Sequence, residues 1–323
     1  MTHRSRALGA WCYVVLLVAV WITVRRGADD AGVATVLAFG PRWVWGVPLL
    51  LCLPRLGRGL RLPVGLAALI VLGPIMGFVW AGAWGSGPVP AGHSIRLITA
   101  NLGSRLVVPS ALADLVGRLN PDVVVMQECT ERAADAFAGS GWSYHEDDGL
   151  CVASRLPVEG AAIRYRQNAF GHGAFGARYQ LRLGDLRLDV ANLHLDSPRD
   201  ALTSLVRGTS DWAGLQTVIA ERRDQSRLVR RWLADADQQT VIVAGDFNMM
   251  EDSAIYRESW GRLRSAFSSV GLGWGYTKRE NWLLAARIDH VLTGPRWRAR
   301  RAWVEAGNGS DHRPLVVDLV LTP

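Results

Sequence analysis

The chain has 323 residues, with 36 basic and 29 acidic side chains and a formal charge of +7. Eight arginines and two acids, Asp29 and Asp30, fall in residues 1–92, which leaves 28 basic against 27 acidic side chains in the remainder. The basic excess belongs to an apolar N-terminal third, so the remainder lacks the electrostatic footprint of a strong non-specific nucleic-acid binder.

Residues 7–24 carry no charge and are flanked by Arg4, Arg6, Arg25 and Arg26. That length just crosses a hydrocarbon core. A cleaved signal peptide fits less well, because Arg-Arg-Gly-Ala-Asp-Asp follows without a small-x-small cleavage pattern. Residues 33–53 are apolar but interrupted by Gly40-Pro41-Arg42, which reads as a tilted span or a re-entrant piece. A charge at mid-bilayer is costly, so Arg42 snorkels or marks a boundary. Residues 62–84 are free of charge, with Pro63 and Pro74 permitting a kink and Trp80 and Trp84 at the far end as interfacial anchors. The expectation is an anchor over residues 1–84 with two to three transmembrane helices, three being favoured. With three, the arginines at 55, 58 and 61 share a side with Arg4 and Arg6, and the positive-inside rule puts the C-terminal domain outside the cytoplasm. With two, that domain is cytoplasmic. Residues 85–92 read as a turn-rich linker.

From residue 93 to 323 short apolar runs recur at 95–100, 123–126, 150–153, 179–183, 186–193, 241–244, 288–292 and 315–321. Several are continuous, as in strands covered on both faces. A helix is expected over 111–119, with Ser110 as its N-cap and a stop before Asn120-Pro121. Another is expected over 215–234, with Arg222, Arg223, Arg227, Arg230 and Arg231 forming a solvated face. Four cysteines are too few for a disulfide scaffold. Cys12 and Cys52 behave as small hydrophobes, while Cys129 and Cys151 either pair in an oxidising compartment or remain two independent thiols. The fold class is α/β, a two-sheet sandwich.

Polar and acidic residues stand at the ends of these runs: Asn101, Gln127-Glu128, Asn192 and His194, Asp246 and Asn248, Asp289, and Asp311-His312. Each alone has a plain reading, since a strand-end Asn or Asp usually caps a turn. Six strand ends supplying Asn, Glu, His, Asp/Asn, Asp and Asp/His in that order are a different matter. At this point, through Gly245-Asp-Phe-Asn248 and Ser310-Asp-His-Arg-Pro314 above all, the chain resembles the endonuclease/exonuclease/phosphatase superfamily over about residues 93–321. Residues 149–158 also look like that family's strand-and-turn segment before the His motif.

The resemblance implies a four-layer α/β/β/α sandwich of two mostly antiparallel sheets and a metal-dependent phosphoesterase. Glu128 would be the principal ligand of a Mg²⁺ or Mn²⁺ ion, with Asn101 close to it and Asp311 contributing; such cations want oxygen donors. His312 would be the general base or a proton donor to phosphate, oriented by Asp289. Asp246 would position or deprotonate the attacking water, Asn248 would hold that water or a phosphate oxygen, and His194 would donate to a non-bridging oxygen. Arg178 either touches phosphate or is a plain surface arginine. Residues 159–176 and 196–214 form a variable rim that matches no subgroup. The expected substrate is a phosphodiester, a nucleic acid or a lipid headgroup, with the bilayer as the other partner and no protein partner implied. A non-catalytic, membrane-tethered binding protein is the competing class.

Overall fold

The computed structural model describes residues 3–52, 57–84, 92–103, 107–139, 141–166, 173–209, 211–281 and 283–322. The N-terminal region is helical: α1 (His3–Gly27), α2 (Gly32–Phe39), α3 (Val47–Cys52) and α4 (Arg61–Ile70). Helix α1 is long and apolar enough to cross a membrane by length and composition, with a mean hydropathy of 2.3 over its apolar part. Large apolar side chains on these helices stand exposed, among them Leu8, Val15, Leu50, Leu62 and Leu69.

The second apolar stretch has the broken form of a re-entrant piece, and the third is shorter than expected. Residues 33–53 are not one helix: Gly32–Phe39 and Arg42–Leu50 meet at 81°. Pro41 stands at the break, where a ring without an N–H ends the helical ladder. Arg42 lies there in protein contacts, donating to the Ala38 and Ile75 carbonyls and to Asp252. In residues 62–84, α4 runs into a π-turn, Val71–Ile75, that contains Pro74, and there the helix stops. Beyond it Val79 exchanges backbone hydrogen bonds with Gly273 at 2.8 and 2.9 Å, and Gly82 N donates to Gly271 O at 2.7 Å. That stretch is docked on the C-terminal domain. Of the expected linker, residues 85–91 lie outside the described residues.

The C-terminal domain opens with β1 (Ser94–Asn101), α5 (Pro109–Leu119), β2 (Val123–Gln127), β3 (Ser143–Asp147), β4 (Leu150–Ser154) and β5 (Val158–Tyr165). It continues with β6 (Ala174–Leu183), β7 (Leu186–His194), α6 (Arg199–Val206), α7 (Trp212–Trp232), β8 (Ile242–Asp246) and α8 (Ala254–Trp260). It closes with β9 (Arg264–Ser265), α9 (Ala266–Val270), β10 (Lys278–Arg279), β11 (Ala285–Ala286), β12 (Asp289–Thr293), β13 (Trp297–Val304) and β14 (Leu315–Leu321). One six-stranded sheet has the order β13-β14-β1-β2-β4-β3, the other β5-β6-β7-β8-β12-β9. Each contains one parallel pair, β1/β2 and β7/β8, among antiparallel neighbours. Helix α5 covers the outer face of the first sheet, α7 and α8 that of the second. This is the four-layer α/β/β/α sandwich.

Local chemistry explains the helix ends. Helix α5 has Pro109 in its first turn, where the missing N–H costs nothing, and stops at Asn120 in the left-handed region, φ 47°. Ser110 is thus inside the helix and makes no cap. Helix α7 is capped by Asp211, whose carboxylate accepts from Gly214 N at 2.8 Å. Its buried residues Leu215, Val218, Ile219, Arg222, Gln225, Ser226 and Val229 follow one face. Arg222 therefore belongs to the buried stripe, unlike the solvated arginine face expected of this helix.

Between the sheets, alternate residues form the core: Ile95 and Leu97 in β1, Val123 and Val125 in β2, Val190 in β7, Ile242 and Ala244 in β8, Val291 in β12. Side chains two apart on a strand share a face. Following the same alternation to the strand ends reaches Thr99 and Asn101, Gln127, Asn192 and His194, Asp246, and Asp289. The polar cluster is the continuation of the apolar interior.

Candidate active site

Strand pairing brings these residues side by side. Asp289 pairs with Asp246 across β12/β8, His194 pairs with Asp246 across β7/β8, and Asn101 pairs with Gln127 across β1/β2. Beneath them a buried polar layer joins the sheets: Gln127 donates to Asn192 at 2.6 Å, and Asn192 donates to the Met126 and Cys151 carbonyls. These bonds cross-link the two sheets beneath the site, with Gln127 Oε1 buried and unpaired.

Two turns aim the site's side chains. Glu128, φ 48°, turns out of the β2 direction, so its carboxylate accepts from Asn101 Nδ2 at 3.0 Å. Asn248, φ 49°, donates its backbone N–H to Asp246 Oδ1 at 2.9 Å and its amide to Leu195 O at 2.8 Å. Left-handed backbone at residues other than glycine persists where its surroundings over-determine it, and such positions cluster at functional sites.

Asn101 Nδ2 bridges Glu128 Oε1 and Asp246 Oδ2, at 3.0 and 3.1 Å. His312 Nδ1 is 2.9 Å from Asp289 Oδ2, and its Nε2 is 3.6 Å from Asp246 Oδ2. His194 Nε2 lies 3.7 Å from Glu128 Oε1. The structure thus gathers seven of the eight residues expected from the sequence: Asn101, Glu128, His194, Asp246, Asn248, Asp289 and His312.

Asp311 is the exception. Its carboxylate is ion-paired with Lys278 and lies 3.9 Å from Arg199, and these cations hold it at the rim. Arg178 is corrected too. It is buried, pairs with Asp189 at 2.7 Å and Asp235 at 2.6 Å, and is neither a phosphate contact nor a surface arginine.

Electrostatics separate the roles of the titrating groups. Burial opposes charge on His312, yet Asp289 and Asp246 override it and raise the imidazole to about 9. Burial and the neighbouring Asp289 push the Asp246 carboxyl well above the usual carboxylate range. Burial and then Arg166 push His194 below its ordinary value, so it is neutral. His290, buried among Phe247 and Tyr256 with Nε2 2.9 Å from Met249 O, is a packed residue outside this chemistry.

Several supporting residues carry no sequence signal of their own. Arg166 pairs with Asp196 at 2.8 Å and donates to the His194 carbonyl at 2.5 Å. Thr277 Oγ1 accepts from the backbone N–H of Ile288 and Asp289, at 3.1 and 3.0 Å, and so seats the start of β12. Cys129 and Cys151 form a disulfide, which resolves the two alternatives for them in favour of pairing. It ties the turn after Glu128 to the start of β4.

The donor set suits a hard divalent cation. Glu128, Asp246 and Asp289 bring three carboxylates into one cleft, and ligand atoms of Asp246, Asp289 and His312 lie within 4.8 Å of one another. Asp289 Oδ1 is buried without a hydrogen-bond partner. Crowded carboxylates with an orphaned oxygen call for positive charge between them.

A central pair of six-stranded sheets with a carboxylate and histidine cluster at their strand ends defines a phosphoesterase-type sandwich. Residues 98–312 match the endonuclease/exonuclease/phosphatase family, and the chain belongs to it: a family of hydrolases acting on phosphoester bonds. Solved structures share the fold at low identity. A family protein from Bacteroides thetaiotaomicron is 18% identical over 72% of this chain and 100% of its own, with a TM-score of 0.54. D. rerio TDP2 complexed with a single-stranded DNA product is 15% identical over 70% of this chain and 98% of its own, also at 0.54. The family protein from Beutenbergia cavernae is 18% identical over 71% of this chain and 72% of its own, at 0.52. No curated protein matches.

Proposed function

We propose that the chain is a membrane-anchored, divalent-metal-dependent phosphodiesterase that hydrolyses its substrate by direct attack of water. The observation that carries this reading is the convergence of Glu128, Asp246 and Asp289 with His194 and His312 at the mouth of the inter-sheet core. Glu128 and Asn101 would hold a Mg²⁺ or Mn²⁺ ion, with Asp246 beside them. When bound, the cation supplies positive charge at the phosphoryl oxygens.

The chain's own residues do the rest. Asp246 has its Oδ1 held by Asn248 N and its Oδ2 held by Asn101, and its raised pKa suits it to take a proton from the attacking water near neutrality. His312, charged at neutral pH and fixed through Nδ1 by Asp289, donates from Nε2 to the phosphoryl group and returns a proton to the leaving oxygen. Of the two roles implied for this histidine, proton donor is the one its charge supports. Neutral His194 donates a further hydrogen bond. No side chain becomes covalently attached, and positioning with charge stabilisation carries the reaction.

The relative with a single-stranded DNA product supports a nucleic-acid substrate, and the near-neutral catalytic domain favours single-stranded over duplex DNA. The apolar helices that touch the site loop favour a lipid headgroup phosphodiester as the second reading: Val24 and Ala28 pack with Met250. Anchoring rests on α1. A catalytic domain on the oxidising side of the membrane is supported by the Cys129–Cys151 disulfide, since such bonds persist outside reducing compartments.

The full chain in detergent should hydrolyse a single-stranded oligonucleotide with Mg²⁺ or Mn²⁺ and lose that activity in EDTA. Turnover of phosphatidylcholine or sphingomyelin vesicles in its place would select the lipid reading. Turnover that survives EDTA would remove the metal from the account.

A further inference from the structure

The loop that follows Asp246 and carries Asn248 is clamped from outside by the N-terminal helices. Ala254 N donates to Ala28 O at 2.8 Å, so α8 starts on the end of α1. Arg25 donates to Glu251 O at 3.2 Å, and Arg42 to Asp252 at 2.6 Å. Met250 and Ile288, which flank Asn248 and Asp289 in the chain, pack with Val24, Ala28 and Ala38.

At the centre of the clamp lies an ion pair. Asp29, in the turn between α1 and α2, is 1% exposed, and Arg222 of α7 is 0% exposed. Arg222 Nη2 donates to Asp29 Oδ1 at 2.5 Å, and Nη1 donates to the carbonyl oxygen of Asn248. The turn itself is fixed: Asp29 has φ 60°, its N–H donates to Thr35 Oγ1 at 2.9 Å, and its carbonyl accepts from Arg223 at 3.0 Å. The chain of contacts runs Asp29, Arg222, Asn248 carbonyl, Asn248 N–H, Asp246 carboxylate.

We propose that Asp29 and Arg222 are positioning residues for the catalytic centre, so that the site is complete only while the anchor's first turn is docked. This rests on the phosphodiesterase reading above. A buried guanidinium that loses its carboxylate must leave the interior or find another anion. Either movement withdraws the donor from the Asn248 carbonyl and frees a left-handed residue to relax toward ordinary backbone. Asp246 then loses the N–H that fixes its Oδ1. The anchor thereby acts on turnover as well as on location, and a displacement of α1 in the bilayer is transmitted to the attacking group.

The test uses the full chain in detergent with Mn²⁺ and whichever phosphodiester it turns over. Asp29→Asn should lower kcat roughly tenfold to a hundredfold with KM little changed, the size expected of a misplaced catalytic group. In the same variant, amide hydrogen exchange over residues 245–249 should quicken about tenfold while exchange in β1 and β14 stays as in the wild type. Asp29→Glu, which keeps the charge, should recover most of both. Asp30→Asn, which touches only the exposed side of Arg223, should move neither. Unchanged exchange at 245–249 in Asp29→Asn, or a rise in KM at constant kcat, overturns the proposal. If no phosphodiester is hydrolysed by the wild type yet exchange still quickens, the coupling stands and the phosphodiesterase reading falls.

Discussion

Asp246→Asn is expected to cut turnover by about 10²- to 10⁴-fold, the range typical for loss of a positioned acid or base, while raising the stability of the metal-free protein. The two effects have one cause. The folded structure raises the Asp246 carboxyl above its ordinary value, through burial first and Asp289 second. A raised carboxyl means that the ionised form is disfavoured by folding. Its cost is absent at low pH, where the group is protonated in both states, and grows as pH rises above the unfolded value. Asparagine has the same shape and cannot ionise, so it escapes that cost. At pH 8 in EDTA the variant should melt above the wild type, by roughly 2–4 °C for each kcal/mol recovered in a chain of this size. Added Mn²⁺ should narrow or reverse the gap, because the cation compensates the wild-type carboxylates and finds one fewer in the variant. Lower stability for the variant at pH 8 without metal would show that the Asp246–His312 attraction outweighs burial.

Gly245→Ala is expected to be strongly destabilising. Gly245 has φ 136°, which side-chain-bearing residues rarely adopt, and an added Cβ would lie 2.1 Å from the Leu193 carbonyl oxygen. That oxygen belongs to backbone in the neighbouring parallel strand, where Leu193 pairs with Gly245 itself. Nothing flexible can yield. Backbone strain and overpacking together cost roughly 3–5 kcal/mol, a large share of the ~5–15 kcal/mol that holds a typical domain. The β7/β8 pair carries His194 and Asp246, so the variant that still folds should also lose turnover. Thermal unfolding by circular dichroism reads the first effect. A drop equivalent to less than 1 kcal/mol would mean the strands separate easily, and would remove the rigid seat proposed for these two residues.

The parts of the site that were legible from the sequence share a physical feature. Asn101, Gln127, His194, Asp246 and Asp289 extend the period-2 alternation of buried strands, so an apolar run that ends in a polar residue on the same face marks a cleft. Asp311 adjoins His312 in sequence, but the cations that pair with its carboxylate, Lys278 and Arg199, reach it only through folding. Arg178 precedes the strand that leads to His194, but its partners Asp189 and Asp235 become neighbours only through folding.

Arg222 is legible in its spacing. It lies seven residues after Leu215 and four after Val218, on the buried face of α7, yet its company of arginines suggested solvent. An arginine on an apolar stripe is a signal for a buried partner, here Asp29 from almost two hundred residues away. Hydropathy alone carries no sign that the segment after Pro74 forms backbone hydrogen bonds with Gly271 and Gly273. Its apolar residues suit a protein contact as well as a lipid one.

Glu128 and Asn101 are proposed to hold the cation with Asp246 beside them, and metal binding tests this more directly than turnover does. Calorimetric titration of the EDTA-stripped full chain with Mn²⁺ should show one saturable site per chain, and Glu128→Gln should abolish it or weaken it severalfold or more. Asp311→Asn, whose carboxylate is held at the rim by Lys278 and Arg199, should bind as the wild type does. Wild-type affinity in Glu128→Gln, or no binding in the native chain, would contradict the assignment of this cleft as a metal centre.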